Sequence, residues 1–338
     1  MGKVALHHIW KIFGPNPQYV LEKINNGSTR ADILSQTGHV IAVRDVSFEV
    51  AQREIFVVMG LSGSGKSTLV RCLSRLIDPT AGKVIINGAD VTAMSMVELR
   101  ELRRHTVSMV FQRFGLFPHR RIIDNVGYGL EIQGMEIHAR RQKSNEILEL
   151  VGLKGWENHF PHELSGGMQQ RVGLARALAV DPEIMLCDEP FSALDPLIRR
   201  DMQNELLNLQ QTLHKTIIFI THDFLEALKL GDRIAIMKDG EIVQIGSPQD
   251  IVAHPVDDYV REFTQDVPRA KVLTAASIMK PINETQRNGF KSVPHHWTLE
   301  QLISLVLATD EVLQVVDDTG NPMGELDRRT VLEAMAET

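Results

Sequence analysis

Gly60-Leu61-Ser62-Gly63-Ser64-Gly65-Lys66-Ser67 fits the pattern G-x-x-x-x-G-K-[ST], and it stands where that pattern has physical meaning. The apolar run Ile55–Met59 before it reads as a strand, and Thr68–Leu76 after it reads as a helix. Glycines let consecutive backbone N–H groups curl round phosphate oxygens, and the helix N-terminus adds partial positive charge. Lys66 then reaches the β- and γ-phosphates, and the Ser67 hydroxyl is placed for Mg2+. Gly60, Ser62, Gly63, Ser64, Gly65, Lys66, Ser67 and Thr68 form the expected nucleotide cradle, for ATP or GTP. A strand, a phosphate loop and a helix in that order also open an α/β fold.

Around this loop, residues 39–250 alternate short β-rich runs with helical stretches, the pattern of a largely parallel sheet. Glu183–Cys187 and Thr216–Ile220 are almost continuously apolar, as strands covered on both faces are. The first runs into Asp188-Glu189. A carboxylate at a strand end beside a phosphate loop is placed to hold Mg2+ through water, which assigns Asp188 to the metal together with Ser67. Glu189, next along, is placed to polarise an attacking water as a general base. From about Ser95 to Gly155 the chain is richer in charge, and it reads as an inserted helical lobe rather than part of the sheet.

A third element precedes the Asp-Glu strand: Leu164-Ser165-Gly166-Gly167-Met168-Gln169-Gln170-Arg171, followed by the apolar helical stretch Val172–Val180. Ser165 and two glycines at a helix start make a second anion-binding cup. With this element the sequence resembles the ATP-binding subunits of ABC transporters, whose signature is Leu-Ser-Gly-Gly-Gln; here Met168 takes the fifth position. The resemblance implies a P-loop NTPase fold of the ABC type. It also implies that Ser165, Gly166 and Gly167 close over the γ-phosphate of ATP held by a second copy, so that two chains sandwich two ATP. Gln112 matches the family's Q-loop glutamine, which touches Mg2+ and water and links to the membrane partner. Ser192-Ala193-Leu194-Asp195 matches the D-loop, which puts Asp195 at the dimer interface. His222 matches the switch histidine that contacts the γ-phosphate and Glu189.

The family's adenine-stacking ring stands shortly before the strand that here reads Val40–Val43, but Thr37-Gly38 occupy that place. Lys11-Ile12-Phe13-Gly14 lies further upstream, so residues 15–38 read as an insertion and Phe13 as the stacking ring. Tyr19 offers the other π face. Turn formers divide the insertion into a helical hairpin. Asn16 before Pro17 reads as one N-cap, and Ser28 or Thr29, after Asn25-Asn26-Gly27, as the next.

Composition sets outer bounds. The chain has 338 residues, 43% hydrophobic and 23% charged, with formal net charge −7, an ordinary balance for about two domains. No apolar run approaches the roughly 18 residues that cross a bilayer, and the first residues lack a signal-peptide core. Two cysteines, Cys72 and Cys187, suit a reducing compartment, and the mildly acidic balance argues against a nucleic-acid partner. The expectation is a soluble chain on the cytoplasmic side.

The resemblance narrows on three points taken together. They are the insertion with Leu34–Gly38, Leu61 in place of the commoner proline, and Leu164–Arg176 followed by Phe191–Arg199. Over roughly residues 4–270 the chain is similar to the glycine betaine/proline betaine, or quaternary-amine, uptake type. That implies ATP hydrolysis powering import of a betaine-like compatible solute such as glycine betaine, proline betaine or choline. Trimethylamine N-oxide, histidine or another amino acid is the alternative within the type, and a non-transport ABC ATPase the alternative outside it. Implied partners are a second copy, separate membrane permease subunits that hold the chain peripherally at the membrane, and a periplasmic or extracellular solute-binding protein. Ile122–Leu130 resembles the segment that docks a permease coupling helix.

Residues 266–338 read as a separate α+β module. Leu299, Leu302, Ile303 and Val306 share a helix face, Val312–Val316 is a strand, Asp317–Asn321 a turn, and Thr330–Met335 a helix. This order resembles one CBS repeat, where relatives commonly carry two. The expected layout is an ABC ATPase over 1–265 and a single CBS-like module over 266–338, either a dimerisation or stability module or one that binds a regulatory ligand.

Overall fold

The unbroken apolar runs become the middle of a parallel sheet. The computed structural model describes residues 2–24, 29–112, 114–282, 291–308 and 311–336, and the chain divides into two compact units, 1–242 and 243–338. The division falls earlier than the boundary expected at 265 from composition.

The first unit opens with β1 (Val4–Phe13), then the inserted helices α1 (Pro17–Lys23) and α2 (Arg30–Thr37), and returns as β2 (Val40–Val50). β1 and β2 are antiparallel, with Phe13 opposite Val40. Helices of seven and eight residues do not hold in water alone. Val20 and Ile33 supply the missing energy by joining Ile12 and Ile41 in one buried cluster, where each side chain contributes about 1.5–3 kcal/mol. Thr29 starts α2 with a capping box: its Oγ1 accepts from Asp32 N at 3.1 Å and its own N–H donates to Asp32 Oδ2 at 3.0 Å. Gly38 ends the helix in the left-handed region, with φ 68°.

Asn16, expected to cap α1, does not. Its φ is 52° and its side chain makes no cap hydrogen bond. A capping oxygen reaches the second or third helical N–H from an extended backbone, which the left-handed conformation denies it. Asn25–Ser28, expected to hold the turn and one alternative cap, lie outside the described residues.

β3 (Ile55–Met59) leads into α3 (Lys66–Leu73), and β4 (Ala81–Ile86) and β5 (Ala89–Asp90) complete an antiparallel sheet ordered β2-β1-β4-β5. After α4 (Met96–His105) comes β6 (Val107–Val110), inside the stretch expected to be a helical lobe rather than part of the sheet. Its four residues pair in parallel with β7 (Ile184–Asp188), a partner too distant along the chain to mark local composition. The helical lobe proper holds α5 (Ile122–Val126), α6 (Tyr128–Ile132), α7 (Ile137–Leu150) and α8 (Gly166–Ala179). After β7 come α9 (Pro196–Leu213), β8 (Thr216–Thr221), α10 (Phe224–Leu230), β9 (Arg233–Lys238) and β10 (Glu241–Gly246).

The second sheet is ordered β10-β9-β3-β8-β7-β6. Every residue of β3, β7 and β8 is buried, as unbroken apolar runs require. These three strands are neighbours and parallel, so their carboxyl ends open on one edge, where ligands of open α/β sheets bind.

In the lobe, fully buried Asn125 ties the preceding loop to α5. Its Oδ1 accepts from Phe117 N at 2.7 Å, and its Nδ2 donates to the carbonyls of Phe117, Arg120 and Arg121 at 3.1, 3.0 and 3.1 Å. Asn125→Ala takes this partner from Phe117 N and the Arg120 carbonyl, while the Phe117 and Arg121 carbonyls keep the N–H groups of Arg120 and Asn125 at 3.2 and 2.9 Å, and the expected loss is about 2–3 kcal/mol in urea unfolding. A loss below about 0.5 kcal/mol would contradict this role.

The second unit contains α11 (Pro248–Ala253), α12 (Asp258–Thr264), α13 (Arg269–Val272), α14 (Ala275–Ile278), β11 (Lys291–Pro294), α15 (Leu299–Ala308), β12 (Leu313–Val316), β13 (Pro322–Leu326) and α16 (Arg328–Ala336). Its sheet runs β11-β12-β13, parallel then antiparallel. α15 buries Leu299, Leu302 and Val306. The turn after β12 is knotted by Asp317, whose Oδ1 accepts from Thr319 N and Asn321 N at 2.9 and 2.8 Å. The Thr319 hydroxyl and those N–H groups hold its carboxyl at about 2.

Candidate nucleotide site

The phosphate loop leaves β3 and folds tightly against its neighbours. Gly60 has φ 149° and Gly65 φ 106°, and a Cβ on either would sit 2.2 Å from the Met237 carbonyl oxygen or 2.1 Å from that of Ala42. No side chain fits there, so the loop reads as glycine for a steric reason. Lys66, 4% exposed, donates from Nζ to the carbonyls of Gly60 and Leu61 at 2.7 and 3.0 Å. Burial pulls its pKa down, against the raising effect of the Glu189 and Asp188 charges.

Ser67, one residue into α3, donates from Oγ to Asp188 Oδ1 at 2.7 Å. Arg71, one turn further, brings Nη2 to 3.7 Å from the other oxygen of that buried carboxylate. The Ser67 hydroxyl, the Asp188 carboxylate and the Gln112 amide are hard oxygen donors of the kind Mg2+ takes, so the residues fit that ion.

Glu189 adopts φ 45°, a left-handed conformation that costs a non-glycine residue about 1–3 kcal/mol and collects at functional sites. It is held there by its N–H donating to Ile220 O at 3.1 Å. Its Oε2 accepts from Gln112 Nε2 at 3.2 Å and lies 3.2 Å from His222 Nδ1, while Lys66 Nζ is 4.0 Å from Oε1. Gln112 Nε2 also donates to Ser192 Oγ at 3.3 Å. Lys66, Ser67, Asp188, Glu189, Gln112 and His222 therefore meet at the carboxyl ends of three neighbouring strands and the loop after β6.

Ser165 and Asp195 make their hydrogen bonds elsewhere. Ser165 caps α8, its Oγ accepting from Met168 N at 3.4 Å, and Asp195 caps α9, its Oδ1 accepting from Ile198 N at 3.1 Å. A Cβ on Gly167 would meet the Ile198 side chain at 2.5 Å, so the two helix starts pack together. Ser165, Gly166 and Asp195 are exposed, as is Leu197. Phe13 is exposed, with Lys11 Nζ 5.0 Å from its ring centroid. Its partner Val40 is two residues from Ala42, whose carbonyl abuts Gly65, so strand β2 links the ring to the loop. Tyr19 is exposed on α1.

Sequence reasoning missed three contacts. Arg71 was detectable as the residue one turn after Ser67 on the same helix. Ser192 lay in a motif already read, but its bond to Gln112 was not. Arg30 of the insertion donates from Nη1 to Gly63 O at 3.0 Å, and no local pattern announces it. The cysteines are free and buried, which pushes Cys72 up to about 11 and Cys187 to about 12.

A family model described as ABC transporter matches residues 43–192. The chain is 58% identical over 278 residues to the glycine betaine transport ATP-binding protein OpuAA of Bacillus subtilis (strain 168), a match covering 82% of this chain and 66% of that protein, just under two thirds. It is 50% identical over 278 residues to the glycine betaine/proline betaine transport system ATP-binding protein ProV of Escherichia coli (strain K12), covering 82% and 70%. It is 48% identical over 334 residues to the trimethylamine N-oxide transport system ATP-binding protein TmoW of Ruegeria pomeroyi, covering 98% and 96%. Among solved structures, a dimeric ATP-binding cassette in a post-hydrolysis state bound to ADP and Pi is 32% identical, with TM-score 0.61, covering 72% of this chain and 98% of that one.

Proposed function

This chain belongs to the ABC transporter family of ATP-binding subunits, and from that premise we propose that two copies close on two ATP and power import of a betaine-like solute through separate permease subunits. The observation that carries the reading is the convergence of Gln112 and His222 on one oxygen of Glu189, at 3.2 Å each, beside Lys66.

ATP enters with its triphosphate along residues 60–68, where the backbone N–H groups and Lys66 hold the β- and γ-phosphates. Ser67, Asp188 and Gln112 would hold Mg2+, which would supply charge neutralisation there. Glu189 takes a proton from the attacking water, His222 fixes the Glu189 carboxylate, and the bond between the γ-phosphorus and the bridging oxygen breaks to leave ADP and phosphate. Phe13 stacks on adenine. Ser165, Gly166 and Gly167 of one copy, with Asp195, cover the γ-phosphate on the other; the exposure of Ser165, Gly166, Asp195 and Leu197 supports that role. Among the described residues no helix is long and apolar enough to cross a membrane, which accords with spanning segments carried by a permease. The tail serves as a single CBS-like module.

Glycine betaine or a related quaternary amine is the solute that the names of OpuAA and ProV favour. One observation favours a second reading, trimethylamine N-oxide: the TmoW match runs through 98% of this chain and 96% of that protein, tail included. Reconstitution with the permease and binding protein, followed by ATP-dependent uptake of labelled glycine betaine, choline and trimethylamine N-oxide, separates the two. Uptake of a methylated amine is expected. ATP hydrolysis with no permease captured on co-purification would overturn the transport reading.

A further inference from the structure

The insertion brings a second cation to the phosphate loop. Arg30 is the first residue of α2, and its Nη1 donates to the carbonyl of Gly63 at 3.0 Å, in the middle of the cradle. We propose that Arg30 is a nucleotide-binding residue, contributed by the inserted hairpin, that takes a phosphate oxygen of ATP. The proposal rests on the reading that residues 60–68 bind ATP.

Its position is built rather than incidental. The capping box of Thr29 and Asp32 fixes the helix start on one side of Arg30. Ile33 anchors the other side in the buried cluster with Ile12, Val20 and Ile41. The guanidinium is therefore presented by a packed element. It carries five N–H donors in a planar fork, and the Gly63 carbonyl accepts from one of them. A Cβ at Gly63 would meet nothing within 4 Å, so the space over its Cα is open.

Charge balance gives the cation a task. Lys66 is buried, turned onto two loop carbonyls and accompanied by the Asp188 and Glu189 carboxylates. Arg71 is occupied with Asp188. A triphosphate adds several negative charges to a cluster that already holds two. An arginine at the rim offsets them through charge-assisted hydrogen bonds, which are about twice as strong as neutral ones.

Calorimetric titration of the full chain with MgATP tests this in Arg30→Ala, Arg30→Lys and Lys66→Ala. Arg30→Ala is expected to weaken ATP about tenfold, and Arg30→Lys to recover most of the loss because the charge returns. The ligand-free melting temperature of Arg30→Ala should match that of the unaltered chain. Arg30→Ala binding within about twofold of the unaltered chain, while Lys66→Ala loses binding, overturns the role of Arg30 and leaves the ATP site standing. Equal weakening in Arg30→Ala and Arg30→Lys also overturns it, since a brace for Gly63 that needs the guanidinium shape would behave so. Unchanged binding in Lys66→Ala as well would overturn both readings.

Discussion

Glu189→Gln is expected to lower ATP turnover by about a thousandfold or more while ATP binding stays within about threefold. The substitution keeps the size of the side chain and an oxygen acceptor for Gln112 at 3.2 Å, but the amide cannot take a proton from water. Contacts with the triphosphate are left to the loop and Lys66, which explains why affinity survives. The left-handed φ of 45° is imposed by the strand end and the bond to Ile220, so the glutamine inherits the same backbone placement. His222→Ala should cost less, since His222 acts by fixing a carboxylate that Gln112 also holds. Steady-state phosphate release alongside nucleotide titration reads both quantities. Turnover within a few-fold of the unaltered chain would remove Glu189 as the base.

The second large effect is steric. Gly65→Ala is expected to destroy ATP binding, by about a hundredfold or more, and to destabilise the first unit by about 3–5 kcal/mol. The added Cβ would lie 2.1 Å from the Ala42 carbonyl, a strand backbone atom that cannot rotate aside, at φ 106°. Gly63→Ala is the contrast within the same loop. There φ is 81° but nothing lies within 4 Å of the new carbon, so only the left-handed strain of about 1–2 kcal/mol applies. Thermal unfolding and nucleotide titration of the two variants should therefore diverge sharply. Equal damage would mean that conformation alone, and not the approach of β2, makes Gly65 a glycine.

What was legible in the sequence follows from where the information lies. The phosphate loop and Asp188-Glu189 are local: a few residues whose side chains and missing side chains carry the chemistry, each at the end of an apolar strand. Gln112 and His222 are single polar residues whose convergence on Glu189 depends on β8, β7 and β6 being neighbours, a fact of sheet order. The order of family motifs picks them out, since spacing alone does not bring them together. β6 stayed hidden because four residues in a charge-rich stretch pair with a distant strand. Asn16 misled because a good capping residue stands before a proline, yet the chain enters the helix with φ 52°. Arg30 was invisible for a related reason: the insertion and the loop meet only when the cluster of Ile12, Val20, Ile33 and Ile41 folds.

We read one chain as carrying two half-sites, Lys66 with Glu189 on one side and Ser165 with Gly167 on the other, each completed by a second copy. Light scattering on the Glu189→Gln variant, in which bound ATP is expected to persist unhydrolysed, decides this. The expected result is the mass of a dimer with MgATP and of a monomer without nucleotide, with Ser165→Arg added to the same variant restoring the monomer. A monomer at saturating MgATP, with ATP demonstrably bound, would contradict it.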